Sequence, residues 1–238
     1  MSHSTVPDAL RDALRGDTAQ PFVTYLGGGG ERTELSLTTW ENNVAKTANL
    51  LRDDVGVAEG DRVVIRLPLH WQTSVWVAAC GLVGVTAAVD GDASDAQLAV
   101  VGPGELRAEA ETTLATSLHP FGLPFATPLP TGVLDAAVEV RVHGDVFRPV
   151  PVSPDSVWLE RGSSYTQADA LRAARELADT LGLAEGGRLL CARALDDTSL
   201  LALVAVPLEL GGSVVLLTDP SADVDAVAAA ERCTAILR

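Results

Sequence analysis

Gly56-Val57-Ala58-Glu59-Gly60-Asp61-Arg62-Val63 and Gly182-Leu183-Ala184-Glu185-Gly186-Gly187-Arg188-Leu189 spell one pattern twice, G-[VL]-A-E-G-x-R-[VL]. Upstream of each copy lies a helix start, Leu37-Thr38-Thr39-Trp40 in the first and Ser164-Tyr165-Thr166-Gln167 in the second, followed by Ala/Leu spacing of helical period. Downstream of each lie an apolar helix and a second β-branched run, Val85-Thr86-Ala87-Ala88-Val89 and Ser213-Val214-Val215-Leu216-Leu217. Strands alternating with helices at this spacing imply right-handed β-α-β crossovers. The fold class is therefore α/β, with duplicated β-α-β units forming mainly parallel sheets sandwiched by helices. Two copies allow either two sheets packed through helices or one sheet with a pseudo-twofold.

Working outward, Val6 to Leu14 reads as a short amphipathic helix. Phe22 to Leu26 and Thr33 to Leu37 read as strands around Gly27-Gly28-Gly29-Gly30. A hairpin loop fits those glycines better than a phosphate cradle, because Glu31 to Leu35 looks extended and a cradle needs a helix N-terminus there. Thr38 or Thr39 is expected to cap the next helix, with Val44, Thr47, Ala48 and Leu51 facing inward. Val63 to Leu67 is a strand covered on both faces, and Trp71 to Val83 a largely apolar helix. Gln97 to Val101 is a further strand. Pro120 to Pro154 carries seven of the 13 prolines and reads as an irregular bridge, with a strand at Val138 to Val142. Asp155 to Leu159 leads into the second unit, where strands are expected at Arg188 to Ala192, Val214 to Leu217 and Thr234 to Leu237, and helices at Thr166 to Leu181, Thr198 to Leu210 and from Asp219 to about Arg232. The organisation is a first unit over 1–102, a bridge over 103–154 and a second unit over 155–238, in one compact domain.

Composition narrows the function. With 47% hydrophobic residues and only 4% aromatics, the core must be aliphatic. No apolar run reaches the ~18 residues of a membrane span, and Met1 to Arg15 lacks the apolar centre of a signal peptide. A cytoplasmic protein is expected. The net charge of −15 would repel nucleic acid and favours solubility. Cys80, Cys191 and Cys233 lack C-x-x-C spacing and read as small buried hydrophobes. Lys46 is the only lysine, which excludes mechanisms that need two. Neither G-x-S-x-G nor H-E-x-x-H occurs, so serine and zinc hydrolases fall away.

Phe22-Val23-Thr24-Tyr25, Leu37-Thr38-Thr39-Trp40, Leu51, Gly56 to Val63, Leu67-Pro68 and Trp71-Gln72-Thr73 together resemble the N-terminal subdomain of the adenylate-forming superfamily of acyl-CoA synthetases, nonribosomal adenylation domains and luciferase. The second unit resembles the segment after that superfamily's phosphate loop. The collinear similarity covers about 20–100 and 155–238. The chain also looks like a family of short chains from high-GC actinobacteria described as similar to AMP-binding enzymes. The resemblance implies the fold and argues against the activity. Where the phosphate loop Y-T-S-G-[ST]-T-G-x-P-K-G belongs, this chain has Val157-Trp158-Leu159-Glu160-Arg161-Gly162-Ser163-Ser164-Tyr165-Thr166. One glycine, no lysine and an acidic Glu160 make a poor triphosphate cradle, though Arg161 offers a substitute charge. Where relatives carry an aromatic-His pair, Asp196-Asp197 stands. The family's later adenine and ribose segments and its C-terminal lysine domain are expected to be missing after Arg238, and Lys46 matches neither family lysine.

No catalytic residue, metal ligand or cofactor is therefore expected. Ligand-binding candidates are His70, Trp71 and Thr73 at a strand-to-helix corner, Arg161, and Asp219 after a second-unit strand, because ligands of open α/β sheets gather beyond the carboxyl ends of strands. Against this, Trp71 packing and His70 capping explain the corner, and helix capping explains Asp90, Asp92 and Asp219. His119, His143 and Asp145 in the bridge read as turn or cap residues rather than a metal site. The expectation is a non-catalytic, truncated homologue acting as a binding or interaction module, with a protein partner or a second copy of itself. The alternative is a binder of an acyl or nucleotide ligand, or an enzyme, using the cleft at the unit junction.

Overall fold

The structure, a computed structural model, describes residues 3–238. Helix α1 (Val6–Ala13) starts at Thr5, whose hydroxyl accepts the Asp8 N–H. Strands β1 (Pro21–Leu26) and β2 (Arg32–Ser36) form an antiparallel hairpin around the glycine run. Helix α2 (Leu37–Asn49) is capped by Ser36 rather than by Thr38 or Thr39. The chain passes straight from β2 into the helix, so residue 36 is the last extended position and its hydroxyl reaches the Thr39 N–H at 3.2 Å. A wider π-helical turn, Leu50–Val55, carries α2 to Gly56. Helix α5 (Gln167–Leu181) ends the same way at Gly182. Both glycines have left-handed backbone, φ 76° and 66°, and this explains the first residue of the recurring pattern: an ended helix presents a residue that only glycine adopts without strain.

The remaining elements follow in order. They are β3 (Arg62–Arg66), α3 (Trp71–Val83), β4 (Thr86–Val89), β5 (Leu98–Val101), β6 (Thr112–Ala115), β7 (Val133–Asp135), α4 (Ala136–Arg141), β8 (Val157–Glu160) and β9 (Ser164–Thr166), then α5. The chain closes with β10 (Arg188–Cys191), α6 (Asp197–Leu203), α7 (Ala205–Leu210), β11 (Ser213–Leu217), α8 (Val224–Ala230) and β12 (Ala235–Leu237). Three expectations are corrected. Residues 138–142 are helical, not extended: Asp135 accepts the Ala137 N–H at 2.9 Å and starts α4. The helix expected over 198–210 breaks at Val204 (φ −136°) and restarts with Pro207 in its first turn, where a missing N–H costs nothing. The last helix begins at Asp223, whose carboxylate takes the Asp225 and Ala226 N–H groups, so Asp219 caps no helix.

Two sheets result. Seven strands run β7-β6-β5-β3-β4-β8-β9 and five run β12-β10-β11-β1-β2, parallel except at the β8–β9 and β1–β2 hairpins. The hairpins cross over. β1 pairs in parallel with β11, placing the early hairpin on the sheet of late strands, and β8 pairs in parallel with β4, placing the later hairpin on the sheet of early strands. Helix α3 touches β1 of one sheet and β3, β4 and β8 of the other. Every residue of α3 but Gln72 is buried, which is why the segment shows no polar stripe. One aliphatic core joins the helices to the inner faces of both sheets, through Val63, Ile65, Leu98 and Leu159 on one and Leu189, Val214 and Leu216 on the other. Gln167, fully buried, locks three helices: its amide accepts the Val6 N–H at 2.8 Å and donates to the Gly81 carbonyl at 3.0 Å. Beside it, Trp158 donates its indole N–H to the Val77 carbonyl at 2.8 Å. Cys80 and Cys191 are buried as expected, but Cys233 is only half-buried. Among the described residues, no helix is long and apolar enough to cross a membrane.

Candidate functional site

The carboxyl ends of β4 and β8 are where a parallel sheet would present a phosphate seat. The β8–β9 turn, Arg161 to Ser163, lies there, and its polar groups are engaged by the chain's own carboxylates. The Gly162 N–H donates to Asp197 Oδ1 at 2.9 Å. The Arg161 guanidinium donates to Asp90 Oδ2 at 3.0 Å. Asp90 follows β4 in a left-handed conformation, φ 56°, and so forms an ion pair rather than a cap. Asp92 likewise closes a turn on Ser94. Asp197 opens α6, next to Asp196, which forms a reciprocal capping box with Ser199 and pairs with Arg193. Glu160 is held by Arg62 at 2.6 Å. An incoming phosphate would meet two carboxylates where it needs free N–H groups and an unpaired cation.

His70 and Trp71 form a different environment at the β3–α3 corner. His70 is the N-cap of α3, 2% exposed, and its Nδ1 accepts the Gln72 N–H at 3.2 Å. That bond assigns the ring proton to Nε2, which finds no partner. The ring packs edge-on to Tyr25, with centroids 4.4 Å apart. Burial lowers the His70 pKa to about 4, so the ring is neutral at pH 7. The Tyr25 hydroxyl accepts from Thr218 Oγ1 at 3.0 Å, which links the corner to the end of β11. Thr73 is fully buried and donates to the Pro68 carbonyl at 2.6 Å, which closes the corner and occupies its hydroxyl proton. Asp219 turns back on Ser221, accepting its N–H at 2.9 Å and its hydroxyl at 2.6 Å. The Ser221 hydroxyl holds the Asp219 carboxyl below the usual carboxylate range.

Beside this corner a cleft of ≈ 550 Å³ opens between β2, α2, the start of α3, residues 116–122 and α4. Of the five candidates read from the sequence, only Trp71 lines it. His70 is buried behind Trp71, and Thr73, Arg161 and Asp219 lie outside the lining. The sequence reading missed Lys46 as a lining residue, together with Gln72, Thr116 and Arg141. Lys46 had one signal, its being the sole lysine; Thr116 and Arg141 had none, because each comes from a segment with no motif. The Gly122 backbone rests on the Trp71 ring, 3.3 Å from where a side chain would begin. This strap is tied down by Thr33 to the Pro120 carbonyl at 3.3 Å and by Arg141 to the Gly122 carbonyl at 3.2 Å. His119 shapes the strap by accepting the Phe121 N–H, and His143 lies 3.2 Å from Asp54. Among the described residues no group of three His, Cys, Asp or Glu side chains is placed to hold a metal.

No family model matches the chain. A TIGR03089 family protein of Mycobacterium tuberculosis is 40% identical over 158 residues, 61% of this chain and 63% of that protein. An acyl-CoA synthetase of Brucella canis superposes with a TM-score of 0.77 at 17% identity, over 98% of this chain and 46% of that one. Acetoacetyl-CoA synthetase from Streptomyces lividans gives 0.70 at 18% identity, over 90% and 38%. The chain thus spans less than two thirds of each of these proteins. The fold that the sequence resemblance implies is borne out: this chain has the fold of the acyl-CoA synthetases, and it is similar in sequence to the mycobacterial TIGR03089 family protein.

Proposed function

We propose that this chain is a non-catalytic binding module built on the acyl-CoA synthetase fold. The observation that carries the reading is the self-filled seat: Asp197 takes the Gly162 N–H and Asp90 takes Arg161, where an adenylating enzyme needs both for phosphate. Adenylation also needs a cation on the charge that develops at the α-phosphate, and the one lysine lies on α2, in the cleft over Trp71 instead. Three free thiols favour a reducing, cytoplasmic setting. The test is thermal unfolding with ATP-Mg, AMP and pyrophosphate. A ligand at a hundred times its Kd adds ~2.7 kcal/mol, a rise of roughly 5–10 °C in a domain of this size. No rise is expected. A rise of that size, or sustained ATP–pyrophosphate exchange with any carboxylic acid, overturns the reading.

A second reading, docking to a protein partner or to a second copy, is favoured by exposed apolar side chains on and around α4: Leu134, Val138, Val142 and Val146 are 46%, 49%, 77% and 70% exposed. Light scattering across a concentration series tests self-association; a monomer throughout removes the second copy.

A further inference from the structure

Five aliphatic side chains recur four residues apart from β7 to the end of the bridge: Leu134, Val138, Val142, Val146 and Val150. All are exposed, from 46% at Leu134 to 77% at Val142. Single exposed aliphatics need no explanation, but a run at this interval is not scatter. Helix α4 sorts it. Ala136 and Val140 pack inward, and Val138 and Val142, one turn apart, stand on the opposite side. Beyond the helix the Asn49 amide donates to the Gly144 and Val146 carbonyls at 2.9 and 3.1 Å, so Val146 is presented from a tethered backbone. Phe121, 80% exposed, lies beside α4, because Arg141 donates to the carbonyl of the adjoining Gly122. These six side chains offer roughly 700 Å² per molecule, close to the ~800 Å² that each partner gives to a standard interface.

The charges favour a second copy as the cover. The chain carries −15, yet residues 120–152 contribute only −1 of it, with Asp135, Glu139 and Asp145 set against Arg141 and Arg148. A basic partner is drawn to the other faces, whereas two copies repel each other least here. On α4, Glu139 and Arg141 flank the stripe on opposite sides. Glu139 makes no hydrogen bond or ion pair among the described residues, and Arg141 has donors to spare beyond the one on Gly122. A two-fold axis running along α4 carries the acidic side of one copy to the basic side of the other, twice over; an axis across the helix sets Glu139 on Glu139 and Arg141 on Arg141. We propose that this face joins two copies of the chain, α4 beside α4 in parallel, stripe on stripe, with Glu139 of each copy paired to Arg141 of the other. The inference rests on the docking reading and commits it to one partner and one surface.

The experiment is sedimentation velocity of the whole chain from about 1 to about 200 µM, a range that captures an interface of this size. A dimer is expected. Val142→Asp puts a carboxylate on the stripe of both copies and weakens association at least tenfold. Because Val142 is so exposed, the melting temperature of the dilute variant stays that of the parent, which separates lost association from lost folding. Glu139→Arg and Arg141→Glu each set like charges across the interface and weaken it several-fold; together they restore the pairing and regain most of the loss. The Gly122 bond is lost in Arg141→Glu and in the double variant alike, so the recovery reads the pairing alone. A monomer at every concentration, or a dimer equally tight in Val142→Asp, overturns the proposal, and a double variant no tighter than the single ones overturns the parallel arrangement. A monomer throughout removes the second copy and leaves docking to a different protein standing, while melting with ATP-Mg reads the non-catalytic assignment separately.

Discussion

His70→Asn tests whether the β3–α3 corner is as dry as the structure makes it. Asn keeps a side-chain acceptor at the N-cap of α3 and removes the titrating ring. In the folded protein His70 takes up a proton only near pH 4, whereas the unfolded chain does so near 6.5. The shift comes from burial alone, with Tyr25 and Trp71 rings beside the imidazole and no carboxylate contributing. The sign follows from proton uptake. Between those two values the unfolded state holds more protons, so stability falls as the pH falls, beginning near 6.5 and complete near 4. Between about pH 7.5 and about pH 5 the loss from this one residue is about 2 kcal/mol, at 1.36 kcal/mol per pKa unit. Urea unfolding at several pH values in that range measures it. The variant is less stable throughout, because the smaller side chain leaves space beside Tyr25. The readout is the difference between the two proteins, in which the carboxylates common to both cancel. That difference is expected to shrink by about 2 kcal/mol on acidification. Parallel curves would refute the argument, and would mean that water or an acceptor reaches Nε2.

Other outcomes follow from the packing and from the carboxylates that engage the β8–β9 turn. Gly81→Ala places a methyl group 2.8 Å from Trp158 Nε1 and 2.9 Å from Val6 Cγ2, and is expected to cost about 1–3 kcal/mol in urea unfolding. Gln167→Ala strands both the Val6 N–H and the Gly81 carbonyl and costs more, about 2–6 kcal/mol at about 1–3 kcal/mol per buried group left unpaired. Gln167→Glu keeps the acceptor for Val6 but loses the donor to Gly81, so it too destabilises, more so above the carboxyl's titration range. Asp90→Ala combined with Asp197→Ala frees Arg161 and the Gly162 N–H; calorimetry should then detect pyrophosphate in the double variant and not in the parent, and an equally silent double variant removes the self-filling argument.

Local signals account for much of what could be read in advance. The two hairpins, α3 and the strand–helix alternation follow from apolar period, glycines and prolines, which act within a few residues. Where two readings share a pattern, tertiary packing chose. In Val138-Glu139-Val140-Arg141-Val142 the apolar residues alternate as in a strand, yet Asp135 starts a helix there that turns Ala136 inward and leaves Val138 and Val142 exposed. Asp219 and Asp223 both suit a cap; only the turn that Asp219 makes with Ser221 leaves the role to Asp223. The candidate site was less legible. Trp71 was found because it follows a strand, but its companions Lys46, Thr116 and Arg141 come from three separate segments that carry no shared spacing.

The sequence by itself determined the α/β class, the parallel crossovers, the aliphatic core and the make-up of residues 157–166, with one glycine and no lysine, because each depends on composition or on near neighbours along the chain. Tertiary structure alone decided that the two hairpins sit on each other's sheets, since any exposed strand edge of suitable length offers the same backbone groups and only the packing of α3 between the sheets selects among them. It also decided that Arg161 and Gly162 meet carboxylates 71 and 35 residues away, and that a lone lysine on α2 faces the cleft over a tryptophan on α3. Contacts at such separations depend on where whole helices and sheets come to rest, and no local spacing records that.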